Sequence, residues 1–123
     1  MNNLSLSEFE AAIFEKIISE TKDFALRAQL TDIQVSSREH TGSGCVSKLK
    51  VAEDAPVIRE AYGLRGPLFG PDFESSAAED GGGTLLWFKE GRVDQLEIFA
   101  NGDYFPSDHK EILSFKFLGK REV

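Results

Sequence analysis

The chain has 123 residues, 41% of them hydrophobic and 28% charged; this is ordinary globular usage, which excludes global disorder and suits one domain burying roughly two-thirds of its unfolded surface. Fourteen Lys and Arg against 21 Asp and Glu leave a net charge of −7, which works against non-specific nucleic-acid binding because that affinity comes from cations neutralising phosphates. The single cysteine, Cys45, excludes an internal disulfide framework, and no stretch approaches the length of a membrane-crossing helix, so a cytoplasmic protein without a membrane partner is expected.

Ser7 followed by Glu10 has the spacing of a capping box. It opens a helix from residue 7 to about 19, in which Phe9, Ala12, Ile13, Lys16 and Ile17 recur at helical intervals while Phe14 and Ile18 widen the apolar stripe. The segment "SETKDFALRAQL" either continues this helix or begins a second one, with Phe24, Ala28 and Leu30 on its buried side. The period then becomes twofold. Ile33, Val35 and Ser37 fall on one face of a strand, and after the turn "EHTGSG" so do Cys45, Ser47, Leu49 and Val51, in two runs suited to antiparallel pairing. Pro56 interrupts the order, and "REAYGLRGPLFGPDFESSAAEDGGG" is a long irregular connection with room for a short strand at 57–61. Within it Leu64, Leu68, Phe69 and Phe73 either tuck back as a lid or present an apolar contact.

Strands return at 84–88, 93–99 and about 112–118, with "NGD" as a turn and "FPSDHKE" as a turn or one short helical turn. The sum is a single α+β domain, residues 1–123. An N-terminal helix or helical pair covers one face of an antiparallel sheet of about four to five strands.

In "FKEGRV" the turn that glycine favours has Lys89 and Glu90 right-handed and Gly91 left-handed, with a bulge. This sets Phe88 opposite Arg92, Trp87 opposite Val93 and Leu86 opposite Asp94. Leu86, Phe88, Leu96 and Ile98 then form the core face; Leu85, Trp87, Val93, Gln95, Glu97 and Phe99 form the other. A two-residue Glu90-Gly91 turn would shift the pairing by one. The second face mixes large aromatics with Gln95 and Glu97. Either another element covers it, or it is a contact surface.

No catalytic residue, cofactor or metal is assigned. "EDGGGTLLWF" looks like a phosphate loop, but its glycines lead into a strand and the Lys-Ser/Thr ending is missing, so it reads as a flexible turn. Cys45, His40 and His109 are too scattered for a zinc site; Cys45 reads as a small buried hydrophobe and the histidines as surface residues. Asp72, Glu74, Glu79, Asp80, Glu97 and Asp103 are abundant enough that a converging pair would mean little.

"TGSG" at 41–44 before a strand, followed by "LLWFKEGRVDQLEIFANGDYFP", resembles small uncharacterised bacterial proteins, a domain of unknown function. In these a Thr-Gly-x-Gly element precedes an apolar strand, and a Gly-turn hairpin carries "LE-[IV]" and a closing Pro. The similarity runs over residues 40 to 106 and implies a fold without an established activity. Some such small acidic proteins look like immunity or antitoxin partners of toxins.

The leading expectation is a non-enzymatic protein-binding module of immunity or antitoxin type, meeting a basic protein partner through Arg65, Trp87, Glu97, Phe99 and Tyr104. The alternative is a small-molecule binder or enzyme whose pocket lies between residues 63–75 and the sheet, with Arg65 holding an anion and Glu97 as base. A third expectation is a homodimer paired through the hairpin edge.

Overall fold

The structure, a computed structural model, describes residues 6–58, 66–75, 78–102 and 115–117. Arg65, Tyr104, His109, the "FPSDHKE" turn and most of the expected strand at 112–118 lie outside the described residues.

Helix α1 (Glu8–Glu20) begins with the expected capping box: the Ser7 hydroxyl accepts from the Glu10 N–H, and the Glu10 carboxylate accepts from the Ser7 N–H. It buries Phe9, Ile13, Phe14 and Ile17. The helix does not run on. The Thr21 hydroxyl accepts from the Asp23 N–H, and the Asp23 carboxylate caps a new helix, α2 (Phe24–Thr31), by accepting from the Ala25 and Leu26 N–H groups at 2.9 and 3.1 Å. Restarting resets the helical phase, so Phe24, expected on the buried side, is 75% exposed and Leu26, Gln29 and Leu30 point inward.

The described strands are β1 (Gln34–His40), β2 (Gly44–Lys50), β3 (Leu68–Phe69), β4 (Phe73–Ser75), β5 (Ala78–Lys89), β6 (Arg92–Ala100) and β7 (Phe115–Phe117). They form one antiparallel sheet in the order β1-β2-β6-β5-β4-β7, with β3 also on β5. The sheet exceeds the expected four to five strands because much of the Gly- and Pro-rich connection joins it. Phe73 is fully buried, whereas Phe69 stays 58% exposed. The "EDGGG" glycines are part of β5, not a flexible turn. A Cβ on Gly82 would run into the Phe99 carbonyl oxygen and the Phe73 ring, so glycine here permits a close approach of backbone and core. Val57 and Ile58 lie in no strand, although the Ile58 N–H donates to the Gly91 carbonyl at 2.8 Å.

Two bulges set the faces. In β1, Val35 pairs with Leu49 and Ser37 with Lys48, leaving Ser36 as an extra residue. Ser37 is therefore exposed, contrary to simple alternation, and Arg38 takes the inward position opposite Ser47. In the β5–β6 hairpin Glu90 and Gly91 both have positive φ, 54° and 78°. This is a two-residue type I′ turn, in place of the expected three-residue one, and its twist matches that of the strands. Lys89 pairs with Arg92 and Phe88 with Val93; Asp94 is then skipped and Trp87 pairs with Gln95. The Asp94 bulge adds a second one-residue shift in the same direction, so Leu86 pairs with Leu96 instead of Asp94 and the faces are restored: Leu86, Leu96 and Ile98 keep their core positions, while Val93, expected on the other face, is buried. Both hairpin edges are paired within the chain, β6 with β2 and β5 with β3 and β4.

Phe9 anchors the helices to the sheet, with its ring centroid 4.9 Å from that of Phe73 in an edge-to-face contact and 6.3 Å from that of Phe117. Among the described residues no helix is long and apolar enough to cross a membrane. The turn yields a test. A non-glycine residue at positive φ costs about 1–2 kcal/mol, and asparagine bears it best, so Glu90→Asn is expected to raise the urea midpoint by the equivalent of about 0.5–1 kcal/mol. An unchanged or lower midpoint would mean that the left-handed Glu90 is not a source of strain.

Candidate functional site

The sheet has two chemically different faces. Toward the helices lie Cys45, Ser47, Thr84, Leu86, Leu96 and Ile98, all buried. On the other face, a row formed by register runs Glu39–Val46–Glu97–Leu85–Phe69 across five strands. Beside it Lys48, Gln95 and Trp87 form a second row, and Phe99 stands between Gly44 and Gly83. Leu85, Trp87, Gln95, Glu97 and Phe99 are half-buried there. The Trp87 Nε1–H donates to Glu97 Oε1 at 3.0 Å along the diagonal between the rows, which fixes the indole and orients the carboxylate. Lys48 Nζ donates to Gln95 Oε1 at 2.9 Å and lies 3.4 Å from Asp94 Oδ2.

Of the five expected contact residues, Trp87, Glu97 and Phe99 share this face. Leu85, expected on this face, is there; Val46 and Phe69 extend it, and sequence periodicity did not add them because their placement depends on which strands are neighbours.

Inside the protein, a polar cluster joins three elements. The fully buried Glu10 carboxylate receives Nε–H of Arg38 on Oε2 at 2.9 Å and an Nη2–H on Oε1, making a two-point ion pair from α1 to β1. The Ser47 hydroxyl of β2 donates to the same Oε2. Burial pushes the Glu10 carboxyl up, but the hydrogen bonds from Arg38, Ser47 and Ser7 and the guanidinium charge outweigh it and leave it below its ordinary range. The same carboxylate raises Arg38 further. Neighbouring Cys45 is pushed up by burial, against the hydrogen bond it shares with Ser47, so it stays a thiol at neutral pH and is a poor nucleophile. The Glu10 carboxylate, with its bonds from Ser7, Arg38 and Ser47, is committed to holding elements together, which suits a structural role more than a catalytic one.

Gln29 does the same for α2. Its side chain is 1% exposed; Nε2 donates to the Pro56 and Gly91 carbonyls at 2.8 and 3.0 Å, and Oε1 accepts from the Val93 N–H at 2.9 Å. His40, placed in a turn by the sequence, ends β1 and is exposed. Among the described residues no group of three or more His, Cys, Asp and Glu is arranged to hold a metal ion.

Compared with known proteins, the chain matches no family model, no curated protein and no solved structure.

Two outcomes are expected of the buried cluster. Glu10→Gln leaves the Arg38 guanidinium without its counter-charge and should cost about 2–4 kcal/mol in urea unfolding. Because the folded-state pKa of Glu10 lies below its unfolded one, the pair's contribution is complete above the unfolded value and is lost as pH falls through the folded value. The wild type should therefore lose more stability than Glu10→Gln between about pH 5 and pH 3; parallel losses would remove Glu10 as the cause. Cys45 should react with a disulfide reagent at least about 100-fold more slowly in the folded protein than in denaturant, and equal rates would contradict its burial.

Proposed function

We propose that the chain is a non-enzymatic protein-binding module of the bacterial cytoplasm, in the manner of an immunity or antitoxin protein. The outer sheet face around Trp87, Glu97 and Phe99 takes a partner protein bearing a basic side chain. The carrying observation is the Trp87–Glu97 hydrogen bond on a face where Val46, Leu85 and Phe99 stand beside Lys48 and Gln95. It makes a pre-ordered aromatic anchor beside a carboxylate whose second oxygen, Oε2, is engaged by no group among the described residues. Tryptophan in such a position carries a large share of binding energy, and a fixed carboxylate beside it selects a cation. The overall charge of −7 steers a basic partner toward the protein. The resemblance of residues 40 to 106 to small bacterial proteins points the same way, and so does the engagement of the buried polar groups in structure.

The small-molecule alternative gains nothing from this face. Glu97 is bonded to Trp87 and is not among the residues that line the described cavity beside β3.

The test is recovery of a partner from the native cytoplasm, followed by titration calorimetry with the purified pair. Trp87→Ala and Glu97→Lys are expected to keep the far-ultraviolet spectrum of the wild type and to weaken binding by about 30-fold or more. A partner bound equally well by both variants, or repeated failure to recover any partner, would defeat the proposal.

A further inference from the structure

At the corner where α1 ends and α2 begins, β3 passes beneath the helices and leaves a cavity of about 250 Å³. Its lining is mixed: Ile17 from α1, Leu26 from α2, and Leu68, Phe69 and Gly70 at β3 meet the polar Glu20, Thr21 and Lys22 of the corner. A cavity of this kind has a mouth because the chain breaks between the helices. The Asp23 cap that restarts the helix turns residues 21–23 away from the axis of α1 and leaves the end of the apolar stripe uncapped by a following turn.

The charged groups that line the cavity are Glu20 and Lys22. The Glu20 carboxylate is engaged by Lys16 at 3.7 Å, and the Asp23 carboxylate is spent on the N–H groups of α2. Arg27 adds a further cation, its guanidinium donating to the Thr21 carbonyl at 2.9 Å. The Lys22 ammonium, exposed, has no partner among the described residues. Of the two charged groups in the lining, the anion Glu20 is therefore engaged, and the cation Lys22 is not engaged among the described residues. Size narrows the occupant as well: an apolar cavity of about 150 Å³ accommodates benzene, so this one admits an aromatic ring with a tail of a few atoms.

We infer that the cavity between the α1–α2 corner and β3 binds a small amphipathic carboxylate, its ring or short chain against Ile17, Leu26 and Leu68 and its head group on Lys22. This site is separate from the Trp87–Glu97 pair, so its failure would leave the protein-binding proposal standing. It also differs from the pocket expected between residues 63–75 and the sheet, since the helices form half of it and Glu97 takes no part.

The experiment titrates the full ¹⁵N-labelled chain with 3-phenylpropionate and, separately, with its neutral amide, following backbone amide shifts. The acid is expected to bind with a Kd of about 1 mM, in keeping with a ligand of its size, and to move the amides of Ile17, Lys22, Leu26 and Leu68. The amide should bind about five- to tenfold more weakly. Lys22→Gln, at an exposed position, should retain the wild-type spectrum away from the corner and abolish the difference between acid and amide. Equal binding of the two ligands by the wild type, or an undiminished preference for the acid in Lys22→Gln, would overturn the head-group assignment. Shifts confined to the outer sheet face, or none up to roughly 20 times the expected Kd, would overturn the site itself.

Discussion

The Glu10 carboxylate is the interaction on which the arrangement depends. It caps its own helix through the Ser7 N–H, pairs with Arg38 of β1 and accepts from Ser47 of β2, so one side chain states where α1 begins and where it lies on the sheet. A buried charge pair adds little net stability over an apolar packing of the same shape, since both ions lose water; a wrong docking that separates the two is costly. Glu10 and Arg38 therefore act chiefly as a specification. An α1 rotated by one position, or a β1 slipped by one residue, would bury the carboxylate without its cation.

That specification requires the bulge at Ser36. With strict alternation Arg38 would follow Gln34 and Ser36 onto the solvent side, and Ser37 would face the helix. The extra residue turns Arg38 inward, opposite Ser47, and places the guanidinium within reach of Glu10. The Asp94 bulge performs a comparable correction on the other side of the sheet, restoring the hydrophobic register after a two-residue turn would have inverted it. Each irregularity is tied to a buried side chain whose placement depends on it: Arg38 in the first case and Val93 in the second.

These details explain what could be read from the residues alone. The α1 cap, the α+β class, the β1–β2 pairing and the core positions of Leu86, Leu96 and Ile98 were legible because each follows from spacing within a few residues. The faces near the bulges were not, since a bulge is recognised by what lies opposite it. Phe24 was misplaced because the Asp23 cap, a local signal, was outweighed by an unbroken apolar pattern with no Gly or Pro. The "EDGGG" run was misread for a different reason: Gly82 is required by the Phe73 ring and the Phe99 carbonyl, and Phe99 lies 17 positions further along the chain. At the candidate site, Trp87, Glu97 and Phe99 were identifiable from one hairpin, whereas the contributions of Phe69 and Val46 depend on strand order. The α1–α2 cavity had no sequence signal, because it is a space left between three elements.

Gln29 carries a last consequence. Its amide supplies the partner for the Val93 N–H inside β6 and for two carbonyls beside the hairpin turn. A residue with only acceptors would lose two of these bonds, and a shorter amide would reach fewer of them. Detaching α2 therefore removes this partner from the buried Val93 N–H and from the Pro56 carbonyl, while the Gly91 carbonyl keeps the Ile58 N–H. The shorter of the two described helices is thus tied to β6. The lifetime of the Val93 amide proton against solvent exchange is set by a helix more than 60 residues away in sequence.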